Sequence, residues 1–279
     1  MEYEITTLGV FLLLAAGLVC GFVNTIAGGG SMFTVPALLF MGMPADIANA
    51  TNRVGVLLGS LVGVQEFHSN KYLDTHAIFP VLVPTLIGAL TGALLASYLP
   101  VWLLEPFLLT AMISMALAII FFPSMIIPPD GTRPYELKER SLVIFGLFAT
   151  GFYGGFVQAG VGFILIFVLA GGLRYDLLRT NALKMVCTGV FCFVALVVFT
   201  LRNQVLWIPG LILAVGTVSG TIISVKFALN VSNNLDAYSK IIPCGIKDKE
   251  ITNLIKIKKQ KYDFISNILI KKFLKEIKN

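Results

Sequence analysis

The sequence predicts an all-α polytopic membrane protein, in which duplicated helical repeats with short glycine-broken arms supply about seven transmembrane helices. Of its 279 residues, 57% are hydrophobic and only 13% are charged, and the mean hydropathy is +0.87. A soluble domain carries about 25% charged residues. The apolar runs are also far longer than the roughly ten-residue alternating strands of a membrane barrel. Disordered chains, secreted disulfide scaffolds and ordinary cytosolic enzymes are therefore excluded.

Seven segments are predicted to cross the membrane, because about 20 apolar residues span the hydrocarbon core. They are residues 8–26, 47–64, 77–99, 101–122, the first part of 141–173, 177–201 and 205–229. Two further apolar pieces, residues 32–43 and the second part of 141–173, are too short to span and are predicted to be re-entrant arms. Each follows a glycine-rich stretch, the first break (residues 25–31) or the second break (residues 155–162).

Matching features recur at a nearly constant offset along the chain. Gly21-Phe22 precedes the first break and Gly151-Phe152 precedes the second, and Gly220 follows Gly88 at almost the same offset. This regularity predicts a first repeat over residues 1–127, a charged linker over 128–140, a second repeat over 141–230 and a tail over 231–279. Repeats that contain glycine-broken segments at matching positions indicate a transporter site.

Two cations near the starts of matching helices are the sharpest candidates for a binding site. Arg53 and Lys184 are related by the same offset and have otherwise apolar surroundings, with only Asp46 and Asp176 nearby as neutralising partners. A charge at the bilayer centre costs about 2.5–3.5 kcal/mol and usually faces a cavity or a partner. The alternative is that both side chains snorkel to the membrane interface. Together with helix N-termini, which attract anions, the cations would form an anion site in a shared central cavity.

Polar companions and glycines complete the predicted site. The amides and the hydroxyl either line a pathway or bond a neighbouring helix, and the break glycines either admit a ligand to the backbone or act as hinges. Three glycine pairs spaced four apart are expected to serve helix packing instead. The predicted substrate-binding residues are Asn24, Thr51, Asn52, Gln158 and Asn181; the backbone or hinge residues are Gly28, Gly29, Gly30, Gly160 and Gly162; the packing pairs are Gly59/Gly63, Gly88/Gly92 and Gly216/Gly220.

Several chemistries are not supported. The four cysteines form no CxxC motif or Cys/His cluster, so neither a metal site nor a cofactor is expected. The GGGS stretch lacks the Lys-Ser/Thr of a phosphate loop. The only two histidines, His68 and His76, flank a polar loop, which argues against an intramembrane serine protease. The chain is therefore not expected to be an enzyme.

The motifs around the two breaks resemble a known family. GFVNTIAGGGS from Gly21 and the Thr51-Asn52-Arg53 helix start, with GFYGGFVQAGVGF from Gly151 and TNALK from Thr180, resemble the TauE/SafE sulfite exporters over about residues 5–230. The resemblance implies a multi-pass transporter of the plasma membrane for sulfite, sulfonates or related organosulfur anions. It also implies a last spanning helix after residue 229, which this sequence lacks.

The tail carries the whole net charge. Residues 231–279 contain eleven Lys and five Asp or Glu, which gives +6, whereas residues 1–230 contain ten of each sign. The tail is predicted to be either a basic amphipathic helix on anionic lipid or the product of an altered reading frame or truncation. The charge does not indicate nucleic-acid binding, because basic and aromatic residues are not interleaved.

The leading functional hypothesis is a secondary transporter that exports or imports a small sulfur-containing anion. Its partners would be the anion and the lipid bilayer, with an unidentified coupling ion, since no adenine-nucleotide motif is present; assembly into a homo-oligomer stays open. The alternative is a membrane assembly or interaction protein that transports nothing.

Overall fold

The computed structural model describes residues 6–121, 135, 137 and 140–239, and this part of the chain is helical throughout, without strands. Most of the predicted linker and the tail beyond Ser239 lie outside the described residues. The helices are α1 Thr7–Ile26, α2 Ser31–Phe40, α3 Ala45–Ser69, α4 Thr75–Tyr98, α5 Val101–Phe121, α6 Ser141–Phe156, α7 Val161–Ile166, α8 Leu177–Leu201 and α9 Trp207–Ser239. A π-helical turn, Phe167–Gly172, continues α7.

The membrane class is confirmed. Five helices are long and apolar enough to cross a bilayer: α1, α3, α4, α8 and α9. The shorter apolar helices α5 and α6 correspond to the other two predicted segments. The last candidate span, Trp207–Asn230, agrees with the predicted span 205–229, and the helix itself continues to Ser239. Residues 230–239 include no proline or glycine that would end a helix.

Local capping explains where several helices begin. The Thr6 hydroxyl accepts a hydrogen bond from the backbone N–H of Gly9 (3.1 Å) at the start of α1. The Asp176 carboxylate accepts one from the N–H of Arg179 (2.9 Å) at the start of α8. Such side chains satisfy backbone donors that a helix start leaves without a partner. The short arm α2 has ten residues, a length of about 15 Å against a core of about 30 Å.

Helices α3 and α8 form the centre of the bundle. In each of them 67% of the apolar 18-residue stretch is buried inside the protein, compared with 33% in α4. They run antiparallel, because Gly189 of α8 lies beside Ser60 of α3, and Met185 lies beside Gly63. Polar residues near the starts of these two helices are therefore held inside the protein.

The other helices pack through glycines. A Cβ atom on Gly88 or Gly92 of α4 would overlap the backbone of α6, and one on Gly216 or Gly220 of α9 would overlap the backbone of α1. A Cβ on Gly59 would clash with Thr217 of α9. The predicted packing role of these small residues is confirmed, as expected for membrane helices that approach closely.

The close contacts occur in pairs at the offset found in the sequence. Gly21 lies against the carbonyl of Thr217, and Gly151 lies against the carbonyl of Thr85. Gly151 follows Gly21, and Thr217 follows Thr85, at nearly the same offset along the chain. The duplication itself stays a prediction, but α1 packs on α9 at the positions where α6 packs on α4.

We expect the substitution Gly151→Ala to lower the free energy of unfolding by about 1–3 kcal/mol, the usual cost of overpacking, because the new methyl group would overlap the Thr85 carbonyl. Gly146→Ala on the same helix is the matched control. There the methyl group would lie 3.4 Å from Val168 Cγ2, an ordinary contact. Thermal unfolding of the two detergent-solubilised variants measures the difference; equal stabilities would contradict the packing described.

Candidate functional site

The side chain of Arg53 caps the C-terminal end of α6. It is fully buried, and its guanidinium donates from Nη1 to the carbonyl of Gly154 and from Nη2 to the carbonyl of Gly155 (3.0 Å). The Asn49 amide donates to the carbonyl of Phe156 (2.9 Å) and its oxygen accepts from Arg53 Nη2 (3.2 Å). The carbonyl of Tyr153 accepts from two backbone N–H groups. All four carbonyls that a helix end leaves open thus have donors, three of them supplied by α3.

Lys184 has the corresponding role at the end of α1. Its ammonium group is fully buried and donates to the backbone carbonyl of Thr25 (2.8 Å) and to the Asn181 amide oxygen (2.7 Å). Cations near the C-terminal end of a helix interact favourably with its partial negative charge. Each cation therefore caps the broken helix of the other half of the chain: α3 caps α6, and α8 caps α1.

Neither cation has a carboxylate partner in the described part of the chain. Asp46 accepts instead from the Gln204 amide (3.4 Å), and Asp176 pairs with Arg179 (3.3 Å). The expectation that these acids neutralise the cations is wrong, because both carboxylates are engaged near the helix starts. The snorkelling alternative does not apply either, since Arg53 and Lys184 are fully enclosed by protein.

An amide network joins the two halves between the cations. The Asn52 amide donates to Ser31 Oγ (3.1 Å) and lies 3.4 Å from Gln158 Oε1. The Asn52 oxygen accepts from Thr34 Oγ1 (2.6 Å), and the Gln158 amide donates to Cys192 Sγ (3.0 Å). Asn52 and Gln158, two of the predicted site residues, are therefore brought together.

The two breaks meet backbone to backbone. The N–H of Gly162 donates to the carbonyl of Gly28 (3.0 Å), and a Cβ atom on either residue would overlap the other. Gly28 has φ +94° and Gly160 has φ +78°, a left-handed conformation that favours glycine. Gln158, with φ +67°, adopts it without being glycine. These glycines allow the broken ends of both halves to touch.

The remaining predicted residues have different surroundings. Asn24 is buried against Gly30, and no hydrogen bond of its side chain is found among the described residues. Gly29 lies against the ring of Phe163. Thr51 accepts from the backbone N–H of Leu206 (3.1 Å) just before α9. Thr51, a residue of α3, therefore lies beside the start of α9, and its hydroxyl is engaged there by the backbone of Leu206.

The two cations lie at different levels of the bundle. Met185, next to Lys184, packs against Gly63, which is ten residues beyond Arg53 on α3. Ten residues correspond to about 15 Å along a helix. Each side chain also bonds an amide in the preceding turn of its own helix, Asn49 or Asn181, and the helices are antiparallel. The cations consequently point away from each other and share no protein partner among the described residues.

Comparisons with known proteins identify the family of this chain. The family model of the sulfite exporter TauE/SafE matches residues 13–241. The chain belongs to this family. It is 28% identical over 227 residues to a probable membrane transporter protein of Haemophilus influenzae, covering 80% of this chain and 87% of that protein. It is 29% identical over 230 residues to the probable membrane transporter protein YfcA of Escherichia coli K12, covering 82% and 83%.

Two further results limit what can be concluded from the comparisons. A 30-residue stretch is 63% identical to an octanoyltransferase of Dictyoglomus turgidum, but it covers only 11% of this chain and 13% of that enzyme. So small a part of an enzyme carries no enzymatic assignment. No solved structure matches the chain. The chain is thus a multi-pass protein of a membrane transporter family, the TauE/SafE family.

Sequence reasoning missed several residues of this candidate site. Phe199 lies under the Arg53 guanidinium, with 5.6 Å from Cζ to the ring centroid. Cys192 and Thr34 join the amide network, and the backbone carbonyls of Gly154 and Gly155 hold the cation. Backbone acceptors leave no trace in the residue types. Cys192 and Thr34 look like ordinary helix residues in the sequence.

We expect Arg53→Gln to destabilise the TauE/SafE fold, because the buried carbonyls of Gly154 and Gly155 would lose their donors. An unsatisfied buried acceptor costs about 1–3 kcal/mol. The surface substitution Arg179→Gln should change stability by no more than about 0.5 kcal/mol. Arg53→Lys, which keeps a donor and the charge, should lie between them. Thermal unfolding in detergent orders the three variants; a fully stable Arg53→Gln protein would show that the cap is dispensable.

Proposed function

We propose that this protein is a secondary transporter of the plasma membrane that carries a small sulfur-containing anion, such as sulfite or a sulfonate, out of or into the cell. The supporting observation is the charge at the two breaks. Arg53 and Lys184 are both fully buried and donate to carbonyl and amide oxygens. Arg53 also contacts the Phe199 ring and the Cys192 side chain, and neither cation contacts a carboxylate in the described part of the chain. The centre of the protein therefore carries positive charge that no carboxylate among the described residues neutralises.

The partial charges of the helix ends do not neutralise the two cations. Each helix end carries a partial charge of about half a unit, negative at the C-terminus and positive at the N-terminus. At each break a C-terminus (α1 or α6) is followed within a few residues by an N-terminus (α2 or α7). The two contributions nearly cancel, so any net charge at the breaks comes from the two cations themselves.

Both cations retain capacity to bind an anion while they cap a helix. A guanidinium has five N–H donors, and the Arg53 Nε–H has no partner among the described residues. An ammonium group has three donors, of which Lys184 uses two in the structure. We propose that the substrate contacts Arg53 with Asn52 and Gln158 at one level, and Lys184 with Asn181 and Asn24 at the other.

The proposed motion pivots about the contact between the two breaks. Rocking of one half against the other around Gly28 and Gly162 would open the two levels alternately, as in other repeat transporters. The roles of Gly29, Gly30 and Gly160 would be to let the backbone bend there. Thr51 would act by holding the start of α9.

A specific observation also favours the alternative function. The contacts of Arg53 and Lys184 would equally suit a membrane assembly protein in which the cations only cap helices. The two functions differ in a measurable way, because only a transporter needs the anion to interact with these charges.

The test is flux of sulfite and of an organosulfonate into proteoliposomes that contain the full chain. We expect Arg53→Gln and Lys184→Gln to reduce the rate at least tenfold per correctly inserted molecule. Arg53→Lys and Lys184→Arg, which keep the charge, should retain more flux than the Gln variants. Arg179→Gln, which replaces an exposed cation paired with Asp176, is the control and should transport as the wild type does.

Stability must be separated from transport in this test. Rates are therefore compared only among variants that are monodisperse after extraction. In addition, sulfite should raise the melting temperature of the wild type, because a ligand that binds only the folded state stabilises it. Unchanged flux in both Gln variants would overturn the paired-cation site. A wild type that neither moves nor binds a sulfur anion would favour the assembly protein.

A further inference from the structure

Three buried hydroxyl groups in the centre of the bundle have no partner among the described residues. Ser60, Thr188 and Thr221 are at most 1% exposed, and the hydroxyl oxygen of each lacks a hydrogen bond there. Other buried hydroxyls on these helices do have partners: Thr217 Oγ1 donates to the carbonyl of Leu213 (2.9 Å), and Ser224 Oγ donates to the carbonyl of Phe22 (2.8 Å). A buried polar group without a partner is costly, so three of them indicate something that the protein atoms do not supply.

The three hydroxyl-bearing residues lie at one level, on three different helices. Ser60 of α3 faces Gly189 of α8, which directly follows Thr188, at 3.6 Å between the Ser60 Cβ and the Cβ position of the glycine. Thr221 Oγ1 of α9 lies 3.2 Å from the Cβ position of Gly59, which directly precedes Ser60. The three residues therefore lie around the junction of α3, α8 and α9.

This junction is loosely packed around Gly189. A Cβ atom on Gly189 would meet only Ser60 within 4 Å, whereas a Cβ atom on Gly59 would clash with Thr217. Glycines in the centre of this bundle are generally packed tightly, and Gly189 is an exception. Space beside unpaired hydroxyls is what a small polar ligand requires.

The charge nearby selects the kind of ligand. Thr188 follows Lys184 by one turn of α8, so both lie on the same side of that helix. Lys184 retains one ammonium donor. Hydroxyl donors suit an anion, and a cation one turn away on the same helix disfavours a metal ion, although its ammonium group points towards Asn181. The positions are about midway, along α3, between the levels of the two cations.

We infer that Ser60, Thr188 and Thr221 form an intermediate binding site for the transported oxyanion, which reaches it from Lys184 on its way to or from Arg53. This inference rests on the proposed function and adds to it a middle position built from neutral donors. At this position the anion would exchange hydration for hydroxyl hydrogen bonds, so the two distant cations need not hold it simultaneously.

The variants Thr188→Val and Thr221→Val test this site, because valine has the shape of threonine without the hydroxyl. Neither hydroxyl has a partner in the described part of the protein, so neither variant should be less stable than the wild type without ligand. Each should raise the KM for sulfite flux at least tenfold, and should weaken the stabilisation of the detergent-solubilised protein by sulfite. Thr217→Val, one turn earlier on α9 and bonded to Leu213, is the control and should leave the KM unchanged.

The outcomes separate this inference from the proposed function. A wild type that transports sulfite, with Thr188→Val and Thr221→Val at the wild-type KM, would overturn the middle site and leave the transporter intact; that result would indicate a buried water at the junction. Loss of sulfite stabilisation in these variants, with no flux even in the wild type, would support the site and refute transport. If sulfite neither raises the melting temperature of the wild type nor is transported by it, both the middle site and the proposed function would be overturned.

Discussion

A helix that ends in the protein interior leaves backbone carbonyls where water cannot reach them, and the rest of this structure depends on how those carbonyls are satisfied. The donors come from the other half of the chain. Arg53 and Asn49 close the end of α6, and Lys184 closes the end of α1. Neither half can complete its own broken helix, so the ends of α1 and α6 hold the two halves together at the breaks.

The close packing of α4 on α6 and of α9 on α1 follows from the same requirement. The glycines at these crossings let the backbones approach until side chains of α3 and α8 reach the broken ends. Any motion that opens the breaks must either carry the caps along or replace them. A replacement donor would have to appear in the same step, because an orphaned buried carbonyl costs about 1–3 kcal/mol. Because each cap crosses between the halves, rocking about the Gly28–Gly162 contact must either keep the displacement at the caps small or supply replacement donors.

Much of the fold could be predicted from the sequence, and less of the site. Charge-free length indicated the spans, and α8 begins and ends at the predicted residues 177 and 201. The importance of Arg53 and Lys184 could be predicted because a cation in an apolar run is conspicuous. Their partners could not, because Thr25, Gly154 and Gly155 act through backbone carbonyls, which every residue has. Nor could the separation of the cations, which depends on α3 and α8 being antiparallel neighbours. The prediction that Asp46 and Asp176 neutralise the cations failed because residues that are close in sequence need not be close in space.

The case for a function in the charges comes from a comparison within the cap itself. At the end of α6 the neutral amide of Asn49 closes the Phe156 carbonyl at 2.9 Å, so an uncharged donor is sufficient for the structural task. A buried cation costs about 2.5–3.5 kcal/mol more than an apolar residue near the bilayer centre. Two of them, at Arg53 and Lys184, exceed what capping requires. An anion that visits each in turn would recover this cost, and the uncharged hydroxyls of Ser60, Thr188 and Thr221 between them would keep the anion from being held at either end.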